Sequence, residues 1–269
     1  MPIWLLPAIS LTMLKFFLKK SFYDGWDNML ALAGFNGAFL AIVGVGVWLP
    51  SLSGSPALAV AGLAIAAAAG SVWWSVAAHA LWRVAEFKTV RLDDVKAAFA
   101  AGWAPGLQLG AVVAATVLLA SVAFPFYASI GGFLGLFASS LAFWLFVGIW
   151  LTLQYFLPLK AARGGDFSDT LKTSFLLFMD APFFALASAI DGALCVALSP
   201  IVAFLLPGPS AAVLVSCEAT RLRLHRMRWV AGRTGEGKPG RTPWPELLAD
   251  DREALGERGL GDLLFPWKR

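Results

Sequence analysis

The sequence predicts an all-α fold: a polytopic transmembrane helix bundle of about six spans, built as three helical hairpins, with short cytoplasmic amphipathic helices. The amino-acid composition is the evidence for a membrane protein rather than a soluble one. Of the 269 residues, 59% are hydrophobic and 14% are charged, whereas soluble domains carry about 25% charged residues. A soluble protein of this size needs more polar side chains for its surface than this chain supplies.

The hydropathy pattern is the evidence for the number of spans. Five apolar stretches are long enough to cross a bilayer as helices. They cover residues 29–49, 57–82, 105–126, 132–157 and 181–205. A sixth stretch, 208–220, is too short alone, so either its helix begins near Ile201 or Leu205 or the segment is re-entrant. Prolines interrupt helices, and three lie at this turn: Pro200, Pro207 and Pro209.

The positions of the basic residues predict the orientation. Basic residues in short loops stay on the cytoplasmic side of a membrane. Here they lie before the first span, after the second, after the fourth and after the last: Lys15, Lys19, Lys20; Arg83, Lys88, Arg91, Lys96; Lys160, Arg163, Lys172; Arg221, Arg223, Arg226, Arg228. The opposite loops, near 51–55, 127–131 and 206–210, carry no charge. Both termini are therefore predicted to be cytoplasmic.

The chain divides into three regions. Residues 1–20 are predicted to be an interfacial anchor, because their apolar part is short of a span and the lysines follow it rather than precede it. Residues 21–230 form the transmembrane helical domain. Residues 231–269 begin as a Gly- and Pro-rich linker and end as a short amphipathic tail. This tail is expected either to fold back onto the cytoplasmic loops or to dock on a partner.

An internal repeat is the basis for predicting three hairpins. Three segments share a spacing of acidic, polar and apolar residues: Asp93, Lys96 and Phe99; Asp169, Lys172 and Phe175; and, more faintly, Asp24, Asp27 and Leu30. An acidic residue suits the start of a helix, where backbone N–H groups are free. The pattern indicates either a duplicated hairpin or the ordinary composition of helices that enter a membrane.

Asp191 is the clearest candidate for a functional residue inside the membrane, where ionisable side chains are expensive. It lies about ten residues into the fifth predicted span, near the middle of the bilayer. Ala187, Ser188, Cys195 and Ser199 continue its helical face. The stripe is therefore expected to face protein. Asp191 either takes up a proton or a cation, or stays protonated and hydrogen-bonds a neighbouring helix.

The rest of the candidate intramembrane polar site consists of Asn36, His79, Gln154 and Glu218. Interhelical hydrogen bonds are the default role for the first three, and His79, close to the inner interface, is also placed to sense pH. Glu218 precedes Arg221 by three residues, which predicts an ion pair along one helix. Small residues in the first two spans, such as Gly37 and Gly44, favour close helix packing.

The sequence contains no motif for catalysis, cofactor binding or metal binding. A hydrolase elbow, a P-loop, HExxH and CxxC are all absent from the sequence, and Cys195 and Cys217 lie in apolar stretches. The basic residues form no stripe on a soluble domain, so nucleic-acid binding is not predicted. No enzymatic activity and no cofactor are expected.

From about Ser21 to Val230 the chain resembles the YesL-like family of bacterial membrane proteins. The resemblance is carried by Asn36 with Phe39 and a later Trp48-Leu49-Pro50, by Leu157-Pro158-Leu159-Lys160-Ala161-Ala162-Arg163 followed by Thr170-Leu171-Lys172, and by Arg221-Leu222-Arg223-Leu224. The family's tryptophan three residues after the asparagine is absent here. The resemblance implies a multi-pass protein of the bacterial cytoplasmic (inner) membrane, associated with ABC-type carbohydrate uptake, and implies no catalytic residues.

Two functions follow as hypotheses. The first is a non-enzymatic membrane accessory or scaffold protein that contacts a membrane transport complex or a second copy of itself through its cytoplasmic loops and tail. The uncharged outer loops and charged inner loops favour it. The second is a transporter or channel for a small solute or ion, in which the polar stripe around Asp191 lines the pathway.

Overall fold

The computed structural model describes residues 11–51, 55–232 and 242–256, and in these ranges every regular element is a helix. In chain order the helices are α1 (Leu11–Asp27), α2 (Met29–Ser51), α3 (Pro56–Ala85), α4 (Leu92–Ile130), α5 (Gly132–Leu153), α6 (Phe156–Arg163), α7 (Phe167–Asp180), α8 (Pro182–Leu198), α9 (Gly208–Ala231), α10 (Trp244–Leu247) and α11 (Ala249–Leu255). A short 3₁₀ turn, Ser199–Ile201, follows α8. The all-α prediction is confirmed.

Five helical stretches are long and apolar enough to cross a membrane. They are Met29–Trp48, Pro56–Ala85, Leu92–Ile130, Gly132–Arg163 and Pro182–Ile201, and they match the five long apolar stretches of the sequence. These five candidate spans are consistent with the predicted helical membrane protein. The predictions for residues 1–10, for most of the linker and for the tail beyond residue 256 concern residues outside the described ranges.

Prolines explain where the helices differ from the predicted spans. The fourth span was expected to reach residue 157, but α5 ends at Leu153, because Pro158 cannot donate to the carbonyl four residues earlier and its ring clashes with it. The fifth was expected to reach residue 205, but α8 ends at Leu198, two residues before Pro200. In contrast, α4 continues through Pro105, which membrane helices tolerate.

Helices α3 and α4 pack closely along a stripe of glycines spaced four residues apart, Gly102, Gly106 and Gly110. A Cβ atom on Gly106 would lie 2.6 Å from the Cα of Val72, and one on Gly110 would lie 2.6 Å from the Ser71 hydroxyl. The prediction of close packing at Gly37 and Gly44 was wrong, because no neighbouring atom lies within 4 Å of a Cβ placed at either. Small residues permit close approach but do not reveal which helix uses it.

We expect Gly106→Ala to weaken the α3–α4 contact. The new methyl group meets backbone atoms of α3, which cannot rotate away, and overpacking of this kind costs about 1–3 kcal/mol of unfolding free energy. Gly37→Ala is the matched control, because the same change there meets open space and favours the helix. Thermal unfolding in nanodiscs measures both; equal effects on Tm would contradict this packing.

The packed core lies at one end of the bundle. It is formed by α1, α6, α7, α10, α11, the last turns of α3, the first turns of α4 and most of α9, and we call this the charged end. Phe17, Tyr155 and Leu248 are fully buried there. At the opposite end the helices expose large apolar side chains, for example Leu58 at 58% and Phe133 at 80%. Apolar exposure of this extent requires contact with lipid.

The turn between α8 and α9 lies part of the way along the neighbouring helix α2. Gly208, the first residue of α9, packs directly against Asn36. Asn36 lies seven residues after the start of α2 and fifteen before its end at Ser51, so about 22 Å of α2 continues beyond the start of α9. Gln154, directly after the C-terminal end of α5, contacts Ser188 of α8. From there α8 runs about 15 Å further.

Candidate functional site

Asn36 holds the turn between α8 and α9. Its side chain is fully buried, and its amide donates to the carbonyl oxygens of Leu205 at 2.8 Å and Pro207 at 2.9 Å. Its side-chain oxygen, Oδ1, accepts a hydrogen bond from the backbone N–H of Ser210 at 2.8 Å. The Ser210 hydroxyl adds a bond of 3.0 Å to the Leu32 carbonyl. Asn36 therefore satisfies backbone groups that the broken helix would leave unpaired.

Gln154 joins the end of α5 to α8. Its Nε2 donates to the carbonyl oxygens of Leu151 at 2.9 Å and Ala185 at 3.0 Å. Its Oε1 accepts the Ser188 hydroxyl at 3.1 Å. Both ends of the amide are used by protein groups, so Gln154 acts as an interhelical connector.

His79 lies away from the other candidates. Its Nδ1 is 2.8 Å from the carbonyl oxygen of Ser75, one turn earlier in α3, and Gly102 of α4 packs against the same nitrogen. A ring nitrogen bonded to its own helix and covered by α4 is tied to the α3–α4 contact. His79 and Asn36 therefore occupy separate places, whereas Gln154 contacts Ser188, on the same face of α8 as Asp191.

Asp191 is partly buried and faces α1. Its carboxylate accepts the Ser21 hydroxyl at 3.2 Å. Ser188 and Ser199, on the same face of α8, are buried, and Cys195 is partly buried. The polar stripe around Asp191 thus faces protein. Its partner, Ser21, lies on a helix that the sequence indicated only as a neighbour of the membrane domain.

Glu218 belongs to a buried charge cluster, which we define as Lys20, Asp24 and Glu218. All three are buried, Lys20 and Glu218 at 1% exposed and Asp24 at 7%. Lys20 contacts the Asp24 carboxylate along α1, and the ring of Phe87 lies 3.8 Å from its ammonium group. Asp24 and Glu218 are close enough to influence each other's ionisation. Asp191 is near enough to interact electrostatically with Glu218.

This cluster holds more negative than positive charge. Neither oxygen of Glu218 receives a donor from the residues that the structure describes. Two carboxylates that face each other cannot hydrogen-bond unless one carries a proton. Burial raises the pKa of Asp24, and the nearby Lys20 opposes this shift. With both carboxyl groups ionised the cluster would carry one net negative charge, and one bound proton would make it neutral.

The expected ion pair between Glu218 and Arg221 was wrong. Arg221 instead reaches α11, where its two terminal nitrogens bind the Asp251 carboxylate at 2.8 and 2.7 Å. Its guanidinium also lies 5.1 Å from the Phe87 ring. Residues three apart on a helix lie on one side of it, but a bidentate carboxylate on another helix is the stronger partner.

The charged end is organised around α9. Besides the pair with Asp251, Arg223 and Arg226 both contact the Asp180 carboxylate at the end of α7. The described part of the tail, 242–256, folds back onto this end and buries Trp244 and Leu248. Of the two alternatives for the tail, folding back or docking on a partner, residues 242–256 show the first.

Sequence reasoning missed Lys20, Asp24 and Ser21 as members of a site. Lys20 was used only as an indicator of orientation, and Asp24 as a residue that opens a helix, although it lies in the last turn of α1. The available signal was their four-residue spacing on a helix between apolar residues, which puts both on the inner face. Nothing in the sequence indicated that Glu218 would meet them.

The described residues contain no group of three or more His, Cys, Asp or Glu side chains able to hold a metal ion. Comparison with protein-family models, with curated proteins and with solved structures finds no match to this chain. The resemblance to the YesL-like family therefore stays a prediction, and the function is inferred from the contacts within this chain.

Proposed function

We propose that this chain is a non-enzymatic accessory or scaffold protein of the bacterial cytoplasmic membrane, whose charged end binds a membrane transport complex. One observation carries the proposal. Three polar side chains among the apolar helices, those of Asn36, Gln154 and Asp191, all hydrogen-bond to other groups of this chain. The charged end, in contrast, is an assembled surface of several short helices.

Exposed aromatic side chains are the proposed contact points on this surface. Phe99 of α4 is 53% exposed and Phe175 of α7 is 50% exposed, and each follows exposed polar residues at the charged end. Aromatic residues beside charged ones are typical of protein interfaces. The resemblance to a family associated with ABC-type uptake supports a partner of that kind.

Photocrosslinking in native membranes tests this proposal. A photoreactive phenylalanine analogue in place of Phe99 or Phe175 is expected to give one discrete protein adduct. The matched controls are Phe133 and Phe137, which are 80% and 59% exposed at the opposite end, and they are expected to give lipid adducts alone. An adduct of twice the chain's own mass would identify a second copy as the partner. Absence of any protein adduct from Phe99 and Phe175 would refute the proposal.

The proposed topology has α8 and α9 entering the bilayer from the charged side and turning back inside it. Three features support a re-entrant pair: the start of α9 beside Asn36, the short run of α8 beyond Gln154, and the hydrogen bonds that satisfy the turn. Helices α2 to α5 then cross the membrane. Both termini remain on the cytoplasmic side, as the basic residues predict.

Thiol labelling distinguishes this topology from six spans. In a background with Cys195→Ser and Cys217→Ala, we expect Ala203→Cys to resist a charged, membrane-impermeant maleimide from either side of the membrane, because the turn lies within the bilayer. Ser129→Cys, in the exposed turn between α4 and α5, is the control and should label from the outer side. Labelling of both positions from the outer side would contradict a re-entrant pair.

A second candidate function, movement of a proton or small cation, is favoured by the buried charge cluster. Glu218 has two buried oxygens that no donor among the described residues reaches, and Asp191 is close by. In liposomes containing a pH-sensitive dye, wild-type protein would then dissipate a proton gradient, whereas Glu218→Gln and Asp191→Asn would not. Thr116→Val, a polar change at a residue that hydrogen-bonds Val112 of its own helix, is the control. Equal rates in all four would exclude this candidate.

A further inference from the structure

A groove of about 470 Å³ lies between the first turns of α1 and the end of α11. Three basic side chains line it, Lys15, Lys19 and Arg252. Leu11, Phe16 and Leu255 form its apolar part. Lys19 also donates to the Gly256 carbonyl at 3.2 Å, which fixes α1 to the end of α11. The groove is therefore cationic and apolar at once, and it is built from two parts of the chain that are far apart in sequence.

Helix α1 has a second apolar face that points outward. Leu11 is 71% exposed, and Leu18, Phe22 and Trp26 are 45%, 48% and 49% exposed. Their spacing of seven, four and four residues puts them on one line along the helix. A helix with lysines beside an outward apolar line is typical of segments that lie in the membrane interface.

The groove lies beside the boundary between the charged end and the apolar helices. Lys20, a member of the buried charge cluster, and Ser21, which contacts Asp191, directly follow Lys19. At this point α9 enters the apolar helices. Lys15 and Lys19 lie up to a turn and a half before this level, toward the charged end. Basic side chains at the boundary of an apolar domain are where phosphate groups of lipids are found.

We propose that this groove binds the phosphate headgroup of an anionic phospholipid. Lys15, Lys19 and Arg252 supply positive charge and hydrogen-bond donors for the phosphate, because ammonium and guanidinium groups are strong phosphate partners. Leu11, Phe16 and Leu255 contact the glycerol and the start of the acyl chains. The lipid would link α1 to the described end of the tail. The inference needs only that the chain lies in a bilayer, so a failed partner crosslink leaves it standing.

Titration of the detergent-purified full chain with phosphatidylglycerol, followed by native mass spectrometry, tests the proposal. Combined Lys15→Gln and Arg252→Gln is expected to lower the association constant roughly tenfold or more, because each basic residue near an anionic surface contributes about 1 kcal/mol. The charge-matched control, Arg91→Gln with Lys96→Gln, alters exposed residues at the start of α4 and should change the association constant less than about twofold. Lys15→Arg with Arg252→Lys, which keeps both charges, should retain binding.

Three outcomes would overturn the proposal. Equal loss in the groove variant and the control would reduce the effect to net charge. Equal binding of phosphatidylcholine would show that the anionic headgroup is not recognised. Competition by inorganic phosphate at concentrations comparable to those of the lipid would identify a site for free anions instead. Unchanged helical circular dichroism of the groove variant shows that any loss of binding is not a loss of fold.

Discussion

Asn36→Leu is expected to lower the unfolding free energy by roughly 3 kcal/mol or more, because each buried polar group left unpaired costs about 1–3 kcal/mol. The change removes the donors to the carbonyls of Leu205 and Pro207 and the acceptor for the Ser210 N–H. Water cannot replace them at the proposed depth. Thermal unfolding in nanodiscs, followed by tryptophan fluorescence, gives the size of the effect.

Asn28→Leu is the matched control for this prediction. Asn28 lies at the junction of α1 and α2 and donates one side-chain hydrogen bond, to the Asp24 carbonyl at 2.9 Å. It is only partly buried, so water can take over that bond and the change in Tm should be small. If Asn36→Leu were tolerated as well as Asn28→Leu, Asn36 could not be the group that holds the turn.

Lys20→Met is the second substitution with a large expected effect. It keeps the length of the side chain but leaves Asp24 and Glu218 without their buried cation. Removing one partner of a buried ion pair costs about 3–5 kcal/mol of unfolding free energy. Lys96→Met is the control, since the ion pair of Lys96 with Asp93 is 80% and 91% exposed and exposed pairs contribute little.

A double substitution shows whether the loss arises in the cluster. If one proton is shared between Asp24 and Glu218, Glu218→Gln replaces the protonated carboxyl by a neutral donor, and alone it should change stability little. Added to Lys20→Met, it should restore part of the lost stability, because one source of negative charge is gone. Additive losses from Lys20→Met and Glu218→Gln would instead show that the two side chains do not interact.

The fold was predictable from the sequence to the extent that it depends on composition and periodicity. Long apolar stretches identify helices α2 to α5 and α8 directly, because the bilayer admits few other structures. The ends were less predictable. Pro158 ends α5 early, whereas Pro105 leaves α4 unbroken. Whether a proline ends a membrane helix depends on whether neighbouring groups satisfy the freed carbonyl, and this is a property of the packed structure.

The candidate site was predictable residue by residue but not as an assembly. Asp191 and Glu218 do lie near each other, while Asn36, His79 and Gln154 serve separate contacts. Lys20 and Asp24 complete the cluster from α1, a helix that precedes the apolar region. Contacts between α1 and α9 join residues about 200 positions apart, and no local pattern in one sequence encodes such pairing.

We propose that protein groups shield the polar side chains among the membrane helices from water, so that the functional surface lies at the charged end. The native thiol of Cys195, one turn after Asp191 and in electrostatic contact with it, reports on this directly. In Cys217→Ala protein in intact membranes, a charged maleimide should leave Cys195 unmodified, while Ser129→Cys in the same protein should react. Rapid modification of Cys195 would reveal a water-filled path to Asp191 and would contradict the scaffold account.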